Sequence, residues 1–351
     1  MRKMKILYGL SGDGFGHSSR ARSIIPYLEK KGHKLKILTY GRAVKILKKQ
    51  GFDVLEIYGM EMKFKQAKLD KTSTTKESLK SFLTNIKKSK KIHSLMKESF
   101  DLCISDMEPL VPILSFWYRL PLLSIDNQHR LVNLELKIPK KYLRDYRIAK
   151  FVTESFVARA DWYIITSFTK SKIKKKYQGK TYIVPPIIRP EVKKLKAKKK
   201  NKILVYLTRK NARLLNILKN FNEEFVIYGY DVEKKQNNLI FHKSGDKFLR
   251  DLAECKAIIA TAGFTLISES LYLKKPYFAL PLEGQFEQVL NALFLKNAKL
   301  GDYSEKPEKE KISDFLANLK KYDERLKKYS PDYDLLFKTL DKVLKKVKPK
   351  R

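Results

Sequence analysis

The sequence predicts an α/β fold built on parallel sheets, and three observations carry this prediction. Short apolar runs alternate with helical patterns along most of the chain, which is the arrangement of βαβ units. The first unit joins the run Ile6–Tyr8 to the run Leu35–Thr39 through a Gly-rich turn and a helical pattern that ends near Lys31. The alternation restarts at Ile203–Leu207, after a stretch rich in Pro and Lys. For a chain of 351 residues, this pattern predicts two α/β domains.

The elements that follow the first unit continue the alternation. The pattern predicts helices at Arg42–Gln50, Lys76–Glu98, Pro109–Tyr118 and Phe151–Ala160, and strands at Leu102–Ser105, Pro121–Ile125 and Trp162–Thr166. Residues 60–75 are expected to form an exposed loop. The helix at Lys76–Glu98 has one apolar side and lysines elsewhere, so it either covers the sheet with a solvated face or lies on an acidic membrane.

The second half repeats this texture and ends in a basic amphipathic helix. The pattern predicts strands at Phe225–Tyr228, Leu239–His242, Ala257–Thr261 and Tyr277–Leu280, and helices at Asp246–Glu254, Leu266–Leu273, Gln285–Lys296 and Tyr333–Val347. We therefore expect an N-terminal domain over residues 1–186, a Lys/Pro-rich linker over 187–202 and a C-terminal domain over 203–330. The last helix, within 331–351, is expected to pack back on the N-terminal domain.

The charge is unusual, because Lys and Arg number 76 against 37 Asp and Glu, a net charge of +39. Such an excess indicates nucleic acid, an acidic membrane surface or a phosphorylated substrate as partner, unless it is only solvated surface lysine. The most apolar stretch, Pro109–Ile125, contains Arg119 and is shorter than the roughly 20 residues of a spanning helix. Met1–Tyr8 is followed by a Gly-rich turn with no cleavage-site pattern, so we expect a cytoplasmic protein, peripheral on the inner face of the membrane at most.

A Gly-rich turn follows the first strand and opens the first helix. Gly12, Gly14 and Gly16 precede His17, and glycines there let a ligand approach the backbone closely. The spacing is not the dinucleotide fingerprint, and Thr39 stands near the end of strand two where that fingerprint would have an acidic residue. The turn therefore indicates an anionic or polar ligand other than NAD.

A second strand-to-helix turn lies at Thr261–Glu269. Gly263 and Thr265 offer free N–H groups and a hydroxyl at a helix N-terminus, where a diphosphate would bind. Glu269 lies one turn further on, where a carboxylate can accept two hydroxyl groups, although it could equally be an ordinary helix residue. A third polar loop, from Glu283 to Gln288, follows the strand bounded by Pro276 and Pro281, at the end of a strand where ligands bind in open α/β sheets.

Together these motifs resemble the glycosyltransferase-B superfamily over essentially the whole chain. The pattern at Ala262–Ala292 is similar to the donor-binding half of MurG-like and related nucleotide-sugar transferases. The motif at Gly12–Arg20, with Ser105–Pro109 and Asp126–His129, resembles the acceptor side of a bacterial and archaeal branch of that group. The chain departs from the peptidoglycan enzyme in its acceptor-side loops, so a peptidoglycan acceptor is not expected.

The resemblance implies a fold and a set of site residues. The fold would be two Rossmann-like parallel-sheet domains facing across a cleft. The donor-binding residues would be Gly263, Phe264 and Thr265 for the diphosphate, Glu269 for the ribose, and Gln285, Glu287 and Gln288 for the sugar. The acceptor-binding residues would be Gly12, Asp13, Gly14, Gly16, Arg20, Asn127, Gln128 and His129. The implied reaction is inverting, with a nucleotide sugar, expected to be a UDP-sugar, as co-substrate and with no metal or other cofactor.

The general base remains open among several residues. His17 has an ordinary pKa near 6.5, which suits removal of a proton from a hydroxyl at neutral pH. Asp106 and Glu108 follow a predicted strand and are the alternative catalytic candidates, and Asp13 lies in the Gly-rich turn. His17 could also be a helix-terminal residue that only orients the loop.

Three functions remain to be compared. The first is transfer of a sugar to a hydroxyl acceptor, with a lipid-linked or cell-envelope glycan as one possibility, on an acidic membrane surface. The second is a nucleotide-sugar epimerase or hydrolase of the same fold. The third is nucleic-acid binding, which the net charge suggests, but the basic run Lys193–Lys202 carries no interleaved aromatic residue. We rank the three in this order.

Overall fold

A computed structural model describes residues 2–12, 16–59, 64–65, 68–69 and 89–348. The chain divides into two compact units. The first combines Met1–Ile187 with Asp332–Arg351, and the second is Ile188–Pro331. Each unit contains one seven-stranded sheet flanked by helices, so the predicted α/β class with parallel sheets is confirmed. Over the described residues, no helix has the length and apolarity that crossing a bilayer requires.

The first unit has a parallel sheet in the order β3-β2-β1-β6-β7-β8-β9. Its strands are β1 (Lys5–Leu10), β2 (Lys34–Thr39), β3 (Val54–Glu56), β6 (Leu102–Asp106), β7 (Leu122–Asp126), β8 (Trp162–Thr166) and β9 (Thr181–Val184). A separate antiparallel pair consists of β4 (Phe64–Lys65) and β5 (Lys68–Leu69). The helices are α1 (Gly16–Lys30), α2 (Gly41–Lys48), α3 (Ser89–Met96), α4 (Leu110–Trp117), α5 (Arg130–Asn133), α6 (Leu143–Phe156) and the C-terminal α14 (Leu335–Leu344), with 3-10 turns at Lys140–Tyr142 and Lys175–Tyr177.

Two apolar layers cover this sheet. On one face α1 and α14 pack together, and the Tyr27 hydroxyl of α1 donates to Asp341 of α14 at 2.9 Å. On the other face lie α3, α4 and the end of α6, with Val111, Leu114 and Val157 buried among them. Strands buried on both faces explain the continuous apolar runs that the sequence shows.

The second unit has a sheet in the order β12-β13-β11-β10-β14-β15-β16, in which β12 is antiparallel. Its strands are β10 (Lys202–Tyr206), β11 (Glu224–Tyr228), β12 (Lys234–Gln236), β13 (Leu239–Phe241), β14 (Ala257–Thr261), β15 (Tyr277–Leu280) and β16 (Gly301–Tyr303). Its helices are α7 (Pro190–Lys193), α8 (Ala212–Leu218), α9 (Asp246–Glu254), α10 (Phe264–Tyr272), α11 (Phe286–Asn297), α12 (Lys309–Ala317) and α13 (Leu319–Lys328).

Several predicted elements differ from the structure. The helix predicted at Phe151–Ala160 is α6, which begins eight residues earlier, at Leu143. The prediction missed its N-terminal half because the apolar residues there are exposed and do not mark a buried face. The loop predicted at 60–75 contains the pair β4 and β5 in its described part. Of the helix predicted at Lys76–Glu98, the structure describes only α3, and the rest lies outside the described residues. Of residues 187–202, predicted as a linker, residues 188–202 belong to the second unit, where Val192 is fully buried.

Candidate functional site

The carboxyl ends of three adjacent parallel strands gather polar side chains in the first unit. In the order β1-β6-β7, the turn before His17 follows β1, Asp106 ends β6, and Asp126 ends β7. Because neighbouring parallel strands end at the same edge of a sheet, these segments lie side by side, at the position where open α/β sheets bind ligands.

His17, at the start of α1, contacts the carboxylate of Asp106. Its Nδ1 lies 2.7 Å from Oδ1 of Asp106, whose side chain is fully buried. The same Nδ1 lies 2.9 Å from a terminal nitrogen of Arg20, which can only donate, whereas the carboxylate can only accept. In the tautomer that carries its proton on Nδ1 and donates it to Asp106, the lone pair is on Nε2. The His17 side chain remains 13% exposed, so the imidazole, unlike the carboxylate behind it, reaches the surface of the unit.

Arg20, one turn along α1, binds the same carboxylate with two N–H groups. Its Nε donates to Oδ2 of Asp106 at 2.8 Å, and a terminal nitrogen donates to Oδ1 at 2.7 Å. Burial by itself raises the pKa of Asp106, but the charges and hydrogen bonds of Arg20 and His17 outweigh it and lower that pKa. Asp106 is therefore a buried, ionised carboxylate with a two-pronged arginine partner.

Two of the candidate bases, His17 and Asp106, are therefore in contact with each other. Asp106 has its oxygens occupied by His17 and Arg20 and is sealed from solvent, so it is not placed to take a proton from an external hydroxyl. Arg20, predicted to bind the acceptor, also donates to Asn127 at 3.4 Å and so links the ends of β6 and β7.

Glu108, the other predicted catalytic carboxylate, caps helix α4. Its two oxygens accept the backbone N–H groups of Leu110 and Val111, each at 2.8 Å. Burial raises the pKa of Glu108 to about 7, although these two N–H groups act to lower it. A Cβ on Gly9 would lie 2.8 Å from a Glu108 oxygen, so glycine at that position lets the cap pack directly on β1. The structure thus gives Glu108 a capping contact and no contact with His17 or Asp106.

A second buried acid–histidine pair ends β7. His129 Nδ1 donates to Asp126 Oδ2 at 2.7 Å, and the Ser124 hydroxyl donates to the same oxygen at 2.6 Å. Burial opposes the charge, but the His129 contact is the largest of several effects that lower the pKa of Asp126 to about 2. His129, predicted to bind the acceptor, is buried with its ring beside Tyr163. The sequence motif names Asp126, but its role as the partner of His129 was not anticipated.

The remaining predicted acceptor residues differ in burial and in what they contact. Gln128 is half-buried, and its side-chain oxygen accepts the backbone N–H of Asn127 at 3.3 Å. Gly12 has an internal packing role, because a Cβ there would lie 2.0 Å from the carbonyl oxygen of Tyr40. Gly16 begins α1, and Asp13 and Gly14 lie outside the described residues.

In the second unit, the turn between β14 and α10 leads into an accessible helix N-terminus. Gly263 is the N-cap of α10 with φ −69° and ψ 131°, and Phe264 and Thr265 form the first turn. All three residues are half-buried, so the helix N-terminus is accessible. A Cβ on Gly263 would meet nothing within 4 Å, so its own unit does not require glycine at that position.

Glu269, predicted to hold a ribose, is bound by an arginine that sequence analysis missed. Arg189 donates through Nε to one carboxylate oxygen at 2.5 Å and through a terminal nitrogen to the other at 2.8 Å. Glu269 is only 1% exposed, whereas the Arg189 side chain is 29% exposed. The two residues are 80 positions apart, and no local pattern in the sequence relates them.

The polar loop after β15 is tied together by amide side chains. Gln288 donates to the Gln285 side chain at 2.6 Å and accepts the backbone N–H of Leu282 at 3.1 Å. Asn291 donates to the carbonyl of Ala262 at 3.0 Å, which fastens α11 to the turn after β14. Glu287 is half-buried in the first turn of α11. The adjacent strands β14 and β15 therefore bring all the predicted donor residues to one edge of the sheet.

No group of three or more His, Cys, Asp or Glu side chains that could hold a metal ion occurs within the described part of the chain.

Comparison with known proteins identifies the family. The family model described as Glycosyl transferase family 1 matches residues 4–320. A relative from Methanosarcina acetivorans, described as an uncharacterized glycosyltransferase, is 24% identical over 98% of both chains.

Solved structures of glycosyltransferases share the fold. The calicheamicin glycosyltransferase CalG4 superposes with a TM-score of 0.69 at 14% identity, covering 99% of this chain and 100% of that one. The structure of LpCGTa in complex with UDP superposes with a TM-score of 0.64 at 14% identity, covering 93% of each chain. The family match supports sugar transfer over the epimerase, hydrolase and nucleic-acid-binding alternatives, and the specific similarity to MurG is not confirmed. The chain belongs to glycosyl transferase family 1 and is a hexosyltransferase-type glycosyltransferase with a two-domain GT-B fold.

Proposed function

We propose that this enzyme transfers a sugar, with inversion, from a nucleoside-diphosphate sugar to a hydroxyl acceptor, with His17 as general base. The observation that carries the proposal is the contact between Nδ1 of His17 and the buried carboxylate of Asp106. The contact supports the proposal because it orients the ring, and because Nε2 can accept a proton in the tautomer that donates Nδ1–H to Asp106. Arg20 holds the carboxylate in place and ionised.

In the transfer step, the acceptor oxygen bonds to the anomeric carbon of the donor sugar. The bond from that carbon to the diphosphate oxygen breaks, and its electron pair leaves with the diphosphate. The acceptor proton passes to Nε2 of His17, and the nearby Asp106 carboxylate stabilises the imidazolium that forms. One displacement on the face opposite to the leaving group inverts the configuration.

The departing diphosphate requires positive potential, which the N-terminus of α10 supplies. The N–H groups of Phe264 and Thr265 are in the first turn, where the helix dipole favours an anion. The open space beside Gly263 supports this placement, because that glycine has no internal packing reason. We assign no metal ion and no other cofactor to the reaction.

The ribose of the donor is assigned to Glu269. Both carboxylate oxygens accept from Arg189 and the side chain is only 1% exposed, so a ribose hydroxyl reaches a remaining lone pair once the 29% exposed Arg189 side chain moves aside. Gln285, Glu287 and Gln288 are assigned to the sugar. A UDP-sugar is the expected donor, and the similar LpCGTa structure was solved with UDP.

The acceptor is proposed to be lipid-linked or part of a cell-envelope glycan. The net charge of +39 supports an enzyme that works at an acidic membrane surface.

Calorimetric titration with UDP, dTDP, GDP and ADP tests the donor assignment. We expect micromolar binding of one uridine or thymidine diphosphate, and Glu269→Gln should weaken it about tenfold or more through loss of a charged acceptor. Glu224→Gln, at an exposed carboxylate that begins β11 and so lies at the opposite edge of the sheet from the α10 turn, is the matched control and should bind as the wild type. Binding of none of the four, or equal affinity in Glu269→Gln, would remove Glu269 and the α10 turn from the donor site.

A further inference from the structure

Large apolar side chains are exposed on two helices of the first unit. Across the described residues, nine large hydrophobic side chains are exposed, and six of them belong to α4 and α6. Phe116 and Trp117 at the end of α4 are 80% and 69% exposed, and Phe151 of α6 is 70% exposed. The other three are Leu143, Ile148 and Val152 of α6. Isolated exposed apolar residues are ordinary, whereas a concentration of this kind marks an interaction surface.

The two helices lie on the same face of the sheet. They connect the adjacent parallel strands β6, β7 and β8 by successive crossovers in one direction, and right-handed crossovers of this kind place their helices on the same face. Val111 and Leu114 of α4 and Val157 after α6 are buried in the same apolar layer. The C-terminal halves of both helices lead to the starts of β7 and β8, so Trp117 and Phe151 lie toward the same edge.

Basic side chains accompany this apolar surface. Residues 137–159 contain seven Lys and Arg against two Asp and Glu. Arg144 and Arg147 are exposed on α6 and alternate at helical spacing with Ile148, Phe151 and Val152. A helix that exposes aromatic and aliphatic residues together with arginines fits the headgroup region of an acidic bilayer, where the rings sink in and the cations meet phosphates.

We infer that the exposed faces of α4 and α6 form a docking surface for an acidic lipid bilayer. The inference extends the proposed work at a membrane by naming the surface that makes contact. A second copy of the chain fits this surface less well, because a symmetric contact would bring each positively charged patch against its own equivalent. An acidic bilayer supplies the opposite charge.

Sedimentation with vesicles of phosphatidylcholine, with and without about 30% phosphatidylglycerol, tests the inference. We expect the full chain to bind the acidic vesicles and to release in high salt. The double variant Trp117→Ser with Phe151→Ser should partition at least about tenfold more weakly. Val232→Ser with Leu335→Ser, which removes two exposed apolar residues elsewhere, is the matched control and should bind as the wild type.

Tryptophan fluorescence supplies an independent readout. The sequence contains two tryptophans, Trp117 and Trp162, and Trp162 is half-buried in β8. Lipids that carry a quencher just below the headgroups should quench the wild type, and Trp117→Phe should lose that quenching while it still sediments with acidic vesicles.

Two results would overturn the inference. Equal sedimentation of Trp117→Ser with Phe151→Ser and the wild type would show that the surface does not touch lipid. A wild-type dimer in size-exclusion chromatography that this variant converts to a monomer would show that a second copy covers the surface. Both measurements omit donor and acceptor, so they are independent of whether the proposed transfer reaction is correct.

Discussion

The two units present their candidate site residues in different ways. In the first unit, His17, Arg20 and Asp106 form a network of side chains whose charged centre is sealed from water. In the second unit, the Gly263 turn presents the backbone N–H groups of an accessible helix end, with open space where a Cβ of residue 263 would lie. The comparison teaches that proton transfer requires charges fixed against each other before substrate arrives, whereas an anion can be held by the backbone alone.

The largest effect should come from the centre of the first network. Asp106→Asn leaves the buried Arg20 without its carboxylate, and breaking a buried ion pair from one side costs about 3–5 kcal/mol. Urea unfolding, with Asp53→Asn at an exposed carboxylate as control, measures the difference. A loss below about 1 kcal/mol, the range of a surface pair, would mean that the network does not stabilise the unit.

One glycine substitution in each unit should affect stability and diphosphate affinity differently. Gly12→Ala forces a Cβ to within 2.0 Å of the Tyr40 carbonyl and should destabilise the protein by about 1–3 kcal/mol. Gly263→Ala meets no neighbour and should change stability by less than about 1 kcal/mol while weakening nucleoside-diphosphate binding at least about tenfold. Unfolding and calorimetric titration of both variants test the pair. Unchanged diphosphate affinity in Gly263→Ala would show that the open space beside it is not a binding site.

The buried pair at the end of β7 predicts a dependence of stability on pH. The folded-state pKa of Asp126 is lowered from 3.8 to about 2, so its stabilising contribution is complete above pH 3.8 and is lost as the pH falls through about 2. The free energy of unfolding of the wild type should therefore fall about 2 kcal/mol more than that of Asp126→Asn over this window. Parallel curves for the two proteins would show that His129 does not hold this carboxylate ionised.

Glu108 should give the smallest effect on activity and an opposite dependence on pH. Its folded-state pKa is raised from 4.5 to about 7, so its contribution to stability is complete below pH 4.5 and is lost as the pH rises through about 7. Glu108→Gln should remove about 3 kcal/mol of this pH-dependent change in stability and keep donor turnover within about threefold of the wild type. A loss of turnover comparable to that of a general base would restore Glu108 as a catalytic residue.

The sequence predicted the fold and most strands because buried parallel strands are continuous apolar runs between Gly- and Pro-rich turns. It placed α6 wrongly because Leu143, Ile148 and Phe151 are exposed, so apolar residues there do not mark a buried face. It did not predict β3, β9, β12 and β16, which are short and form the outermost strands of the two seven-stranded sheets.

The candidate site was predictable as a set of segments but not as a set of contacts. His17 and Asp106 were separate candidates, because the sequence does not show that residues 89 positions apart are in contact. The pairing of Arg189 with Glu269 was missed for the same reason, since it depends on how the chain enters the second unit.

The central claim is that Nε2 of His17 accepts the proton of the acceptor hydroxyl. His17→Asn keeps an N–H that can donate to Asp106 but has no imidazole nitrogen to accept a proton. Turnover of the donor identified by titration, measured as release of its nucleoside diphosphate with a hydroxyl acceptor, should fall by about 10²–10⁴-fold in this variant, while diphosphate affinity stays unchanged. His93→Asn, at a surface histidine away from the network, should retain full turnover. Retention of more than about a tenth of the wild-type rate in His17→Asn would contradict the assignment of His17 as the base.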